Sequence, residues 1–165
     1  MNPMAAQEAD VGGVSEAPWN DLIAASAREV FEIMVGSKLG PADASRQGQG
    51  GVTAMLGFAG KPCGVFTVRC PWAAAAAVAG RMLGVSPDEL PTEQVCDAVG
   101  EICNMVAGSL KSRLNDAGAG CLMTTPSVIR GVDYEVRCLA CDRCFGLIME
   151  FEGHLLAFDL ELQAS

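Results

Sequence analysis

The chain has 165 residues, half of them apolar, and 11 Lys and Arg against 20 Asp and Glu, a formal charge of −9. That length suits one domain with a full hydrophobic core. The acidity excludes a nucleic-acid surface, which needs clustered Lys and Arg, and the longest apolar runs are broken by Gly, Arg or Asp before reaching the ~18 residues of a membrane span.

The N-terminal stretch, MNPMAAQEADVGGVSEA, is acidic and lacks the basic start and apolar run of an export signal. A cytoplasmic location is therefore expected. Residues 1–16 read as a disordered tail, and 17–165 as a single domain. Eight cysteines in a chain with a large core and no export signal are expected to be mostly reduced and buried as small hydrophobes.

From Pro18 the spacing predicts a helix with Ile23, Ala27, Val30, Phe31 and Met34 on one face, ending near Gly36. Residues 37–50 read as a loop rich in Gly, Ser and Asp. Alternation at Val52, Ala54, Leu56 and Phe58, then at Phe66, Val68 and Cys70, predicts a hairpin turning at Ala59–Pro62. The run PWAAAAAVAGRMLG is a helix with Pro71 suited to its first turn, and Ser86-Pro87-Asp88-Glu89 a capped helical turn. A long helix starts near Thr92. After Gly118 the chain reads as strands: CLMTT, then runs led by Val132–Cys138, Phe145–Phe151 and Leu156–Leu162, the last two joined by a tight turn at Glu152-Gly153. Their apolar residues alternate with Asp133, Glu135, Arg137, Glu150, Asp159 and Glu161. One greasy face and one wet face predict an α+β two-layer sandwich, a largely antiparallel sheet with helices on one face.

The long helix holds the chemistry. Val95, Val99, Ile102, Val106, Leu110 and Leu114 form its buried stripe. Opposite them, at steps of four and three, stand Asp97, Glu101, Asn104, Gly108 and Lys111. Glu101 and Asn104 are one turn apart, facing away from the core. Gly108 beside them costs roughly 1 kcal/mol relative to alanine and would leave a flat spot where another surface could approach. By spacing alone, the same pattern also fits a solvated helix surface, with a glycine that lets two helices pack.

The run Glu101-Ile-Cys-Asn104-Met-Val-Ala-Gly108-Ser-Leu-Lys111 resembles the E-x-x-N helix of the chemotaxis phosphatases CheX and CheC, and is nearer to CheX. Asp97 matches an acidic or serine position one turn before the glutamate. Pro126, in TTPSVIRG, is similar to a proline in the family's next strand. Ser109 stands where asparagine is common. The resemblance runs loosely from Trp19 to Gln163.

This resemblance implies a CheC-like fold and a phosphatase acting on the aspartyl phosphate of a CheY-like response regulator. It implies that Glu101 and Asn104 are the catalytic pair: Asn104 orients the attacking water, and Glu101 pairs with the partner's active-site lysine. Asp97, Gly108 and Lys111 would belong to the partner-binding rim. The Mg²⁺ would come from the partner, with no metal or cofactor of the chain's own. The chemistry agrees: an amide supplies one donor and one acceptor at fixed geometry, and phosphoryl transfer asks the protein mainly to position groups and stabilise charge. The resemblance also suggests a homodimer. No proline interrupts the strands between Val132 and Gln163, so an edge among them is left open for pairing.

Two further readings stand beside this one. The domain could dock on a regulator without hydrolysis, although a purely binding surface has no need of a water-placing amide. Or it could be a thiol or metal sensor, since Cys138, Cys141 and Cys144 have metal-ligand spacing. That spacing lacks an evident fourth ligand, so an ordinary turn carrying cysteines is the expectation there.

Overall fold

The computed structural model describes residues 18–43, 51–114 and 120–164. The expected tail at 1–16 and part of the expected 37–50 loop lie outside the described residues. Helix α1, Pro18–Val30, runs on into one π-helical turn, Phe31–Val35, and stops at Gly36, whose φ of 66° is left-handed. Helix α2 is Trp72–Leu83 and α3 is Thr92–Arg113. The strands are β1 (Gly40–Pro41), β2 (Val52–Ala59), β3 (Gly64–Cys70), β4 (Leu122–Met123), β5 (Ser127–Arg130), β6 (Arg143–Phe151) and β7 (His154–Leu162).

They form one antiparallel sheet in the order β1-β6-β7-β3-β2, with β4 and β5 both on the outer edge of β2. Alternation does the rest. Leu56, Phe66, Phe158 and Leu160 point to one face and are buried under the helices. Phe31 of the π turn meets Phe151 edge-on at 5.5 Å and Phe158 at 6.4 Å. Helix α3 packs against both other helices and across β2, β3 and β5. Its buried stripe includes each apolar residue the spacing singled out, Val95 to Leu114. The α+β sandwich with helices on one face is the architecture found.

Three local expectations change. Ser86 makes no side-chain cap, and the turn it precedes is a 3₁₀ turn, Pro87–Glu89. Part of the expected 37–50 loop is strand β1, which pairs with Glu150 and Met149 of β6. Residues 131–142 are not a strand. The alternation of Val132, Tyr134, Val136 and Cys138 is real, but the segment has to carry the chain from β5, at one edge of the sheet, across β2, β3 and β7 to β6. A chain that crosses the strands cannot pair along any of them. Asp133, at φ 56°, also breaks the extended run. The segment instead forms a strap over the open face of the sheet. Gly131 N–H donates to the Gly51 carbonyl at 3.1 Å, and Asp142 N–H to the Leu162 carbonyl at 2.9 Å. Between them the Tyr134 and Thr53 hydroxyls are hydrogen-bonded at 2.8 Å. Val132 and Leu139 are left exposed.

Candidate functional site

Helix α3 carries one wall of an open groove of about 550 Å³, and the edge of the sheet carries the other. Asp97, Glu101 and Asn104 line the helical wall. Glu101 and Asp97 are exposed, and Asn104 is half-buried. Their shared side follows from the four- and three-residue steps of a helix whose opposite face is locked into the core. Gly100 brings the two walls close. A Cβ there would come within 3.2 Å of Val128 Cγ2 on β5, closer than an ordinary contact.

The second wall is Met123, Thr124, Thr125, Pro126 and Val128. It exists because of a bulge. On β2, Met55 to Phe58 is three steps, but their partners Ser127 and Met123 are four apart. The extra residue lets β4 and β5 act as two arms of one interrupted edge strand. Pro126, with no N–H to give to a ladder, sits in the interruption, where an edge tolerates it. Thr124 pins the bulge. Its N–H donates to the Gly57 carbonyl at 2.9 Å, and its hydroxyl accepts from Gly57 N–H at 2.8 Å.

Of the residues the sequence pointed to, the structure brings Asp97, Glu101, Asn104 and Pro126 to this groove. Gly108 and Lys111 lie further along α3, outside its lining. A Cβ on Gly108 would meet nothing within 4 Å, so nothing in the described chain requires a glycine there. Lys111 lies near Cys121. Burial pushes that thiol's pKa up, and the lysine partly offsets the rise. Ser109 faces α1: its hydroxyl donates to Glu29 at 2.7 Å, and Arg113 reaches the same carboxylate at 2.6 Å. These two donors hold the Glu29 carboxyl below its ordinary pKa. Gly100, Thr124, Thr125 and Val128 were not singled out from the sequence. Gly100 had a signal, since it interrupts the buried side of a helix. The others depend on strand register.

Another cavity, of about 270 Å³, lies under the strap, away from the groove. It is lined in part by Thr53, Tyr134 and Glu161, together with Arg69 and Asp159, which pair at 3.4 Å. Cys138 and Cys141 of the strap are joined as a disulfide, and Cys144 is a free, exposed thiol. No helix among the described residues is long and apolar enough to cross a membrane.

The groove can hold and aim small polar groups. It offers a carboxylate and a carboxamide one turn apart, a second carboxylate a turn before them and two threonine hydroxyls opposite. This geometry accompanies a clear set of similarities. The CheX protein of Vibrio vulnificus superposes with a TM-score of 0.77 at 25% identity, covering 92% of this chain and 100% of that one. A CheX from Desulfovibrio desulfuricans gives 0.74 at 23%, covering 87% and 97%. The CheX of a CheX–CheY–BeF₃–Mg²⁺ complex from Borrelia burgdorferi gives 0.72 at 17%, covering 87% and 97%. No curated protein sequence matches. The family model described as chemotaxis phosphatase CheX matches residues 52–150, more than half of the chain and both walls of the groove. The chain belongs to the CheX family of chemotaxis phosphatases.

Proposed function

We propose that this chain hydrolyses the aspartyl phosphate of a CheY-like response regulator. The observation that carries the reading is the placement of Glu101 and Asn104 on one accessible turn of α3, at the mouth of a groove walled by the Pro126 bulge. A phosphorylated regulator already holds the electrophile, and lacks a well-placed water. Asn104 enters its phosphorylation site and orients that water through its amide, one group donating and the other accepting. Placement of this kind can remove ~7–11 kcal/mol of barrier in the best cases. Glu101 pairs with a lysine of the regulator and fixes the docking. Asp97, Gly108 and Lys111 lie around the contact.

The Mg²⁺ is assigned to the regulator. The groove presents Asp97 and Glu101 a full turn apart along a helix, and its remaining polar groups are an amide and two hydroxyls. A divalent ion asks for converging oxygens. The CheX of the Borrelia burgdorferi structure is found with CheY, BeF₃ and Mg²⁺, which is the class of partner named here. The proposal extends to a homodimer paired through the outer edge of β6, where the described residues pair only at Glu150 and Met149.

The test is loss of acid-labile phosphate from a phosphorylated CheY-like regulator with the chain added in catalytic amount. Asn104→Ala should lower the rate by about 10²-fold or more, as loss of a preorganised polar group does, with an unchanged thermal melt. Near-normal hydrolysis by a folded Asn104→Ala chain removes the mechanism.

A further inference from the structure

The strap holds a second constellation that the groove does not use. Cys138 Sγ, Cys141 Sγ and a carboxylate oxygen of Glu161 all lie within 4.8 Å of one another. Two of these come from the strap and one from β7, so residues far apart in sequence converge there. Cys144 stands directly opposite Glu161 in the β6–β7 ladder. Side chains paired in this way share a face, with their Cβ atoms ~4.5–5.5 Å apart. The strap end is held in place on both sides. Asp142 N–H donates to the Leu162 carbonyl at 2.9 Å, and the Asp142 carboxylate accepts from Ala164 N–H at 2.8 Å. Two sulfurs and one carboxylate therefore meet at a half-buried corner, and the exposed Cys144 stands beside them across the ladder from Glu161.

We propose that, with the Cys138–Cys141 bond reduced, this corner binds one Zn²⁺ through Cys138, Cys141 and Glu161, with Cys144 as the fourth donor. Zinc takes thiolate and carboxylate ligands in a tetrahedron at about 2.3 Å and 2.0–2.2 Å. Donors on such an ion lie roughly 3.5–3.8 Å apart, within the span of this cluster. Carboxylate suits a borderline-soft ion better than it suits Cu(I), and one carboxylate among thiolates is a poor set for Mg²⁺ or Ca²⁺. The fourth ligand that the C-x-x-C-x-x-C spacing lacked is supplied by β7.

The two states exclude one another. An external dithiol gives two electrons and two protons to the Cys138–Cys141 bond. That bond breaks, two thiols form, and the dithiol leaves as its own disulfide. Zinc then displaces one proton from each thiol it takes up. Bound zinc fastens the strap to β7, as the closed site of a structural metal does.

The test uses the full chain, reduced under anaerobic conditions and freed of metal. Zn²⁺ is titrated against a chromophoric chelator, and Co²⁺ is added separately as an optical probe. One equivalent of Zn²⁺ per chain, with a thiolate-to-cobalt charge-transfer band, is the expected result. The Cys138→Ser/Cys141→Ser double variant should lose both signals. Glu161→Gln should weaken zinc binding by at least ~10-fold, and Cys63→Ser should leave it unchanged. The oxidised chain should bind none. Absence of zinc uptake by the reduced chain overturns the proposal, as does an equivalent that survives in the double variant or in the oxidised chain. Thermal melts of each variant establish that the strap substitutions leave the domain folded.

Discussion

Replacing Gly108 by alanine separates what the fold wants from what the partner wants. The residue lies inside α3, where glycine is about 1 kcal/mol less favourable than alanine. A Cβ at this position meets nothing within 4 Å, so no packing term opposes the gain. For a chain of this length, 1 kcal/mol moves the melting temperature by about 2–4 °C. Gly108→Ala should therefore melt that much higher. Gly100→Ala is the internal control. It gains the same propensity, but its Cβ would stand 3.2 Å from Val128 Cγ2, and forcing extra carbon into a packed contact costs ~1–3 kcal/mol. Its melting temperature should stay level or fall by a few degrees. Calorimetry measures both. Under the proposed function Gly108 faces the regulator, so the stabilised variant should also hydrolyse phosphorylated regulator with a raised KM and a nearly unchanged kcat. A Gly108→Ala chain that melts lower refutes the open placement. One that melts higher with an unaltered KM removes Gly108 from the interface.

Thiol accounting gives a second check. Burial pushes Cys70 and Cys103 up to about 12, so in the native chain Ellman's reagent should find Cys144, Cys63 and Cys96, and reach Cys70, Cys103 and Cys121 only in denaturant; prompt labelling of the buried three would contradict the packing. The Glu29 carboxyl is held below 4.5, first by Ser109 and then by Arg113. A depressed carboxyl pKa stabilises the fold above its unfolded value and loses that contribution as pH falls through the folded one. Glu29→Gln should therefore narrow the gap to wild type in acid melts below pH ~4, and an unchanged gap would deny Glu29 that role. Light scattering at micromolar concentration should give twice 17.1 kDa for a β6-edge dimer, and a clean monomer mass would sink the dimer while leaving the groove untouched.

The parts of this molecule that could be read from sequence are those fixed by neighbours along the chain. The α3 stripe and its polar reverse face depend only on helical period, and Val95 to Leu114 are buried as that period requires. The β6–β7 hairpin depends on a two-residue turn, and Glu152 and Gly153 take the positive φ values, 47° and 82°, that such a turn needs. The strap shows where local pattern stops being enough. Val132, Tyr134, Val136 and Cys138 alternate as well as any true strand in the chain. Whether an alternating run becomes a strand is decided by the path it must take between the elements on either side of it, here across β2, β3 and β7, and that is a property of the finished sheet.

The groove combines both situations, and this explains why only half of it was legible. Its helical wall, with Asp97, Glu101 and Asn104, follows from a repeat of three and four residues. Its other wall follows from a single surplus residue between Met123 and Ser127, which no periodicity announces. Pro126 is the trace that residue leaves. A proline inside a strand-like run has to sit at an edge or a bulge, because it cannot donate to the ladder. Here it sits at both. The edge position brings the bulge alongside α3, and Gly100 permits the approach. Filling either feature should damage the groove without touching Glu101 or Asn104. Under the proposed function, restoring a regular ladder by deleting Thr125 should therefore cost hydrolysis as surely as removing the amide of Asn104, and a Thr125-deleted chain that folds and hydrolyses phosphorylated regulator normally would show that the second wall is not needed.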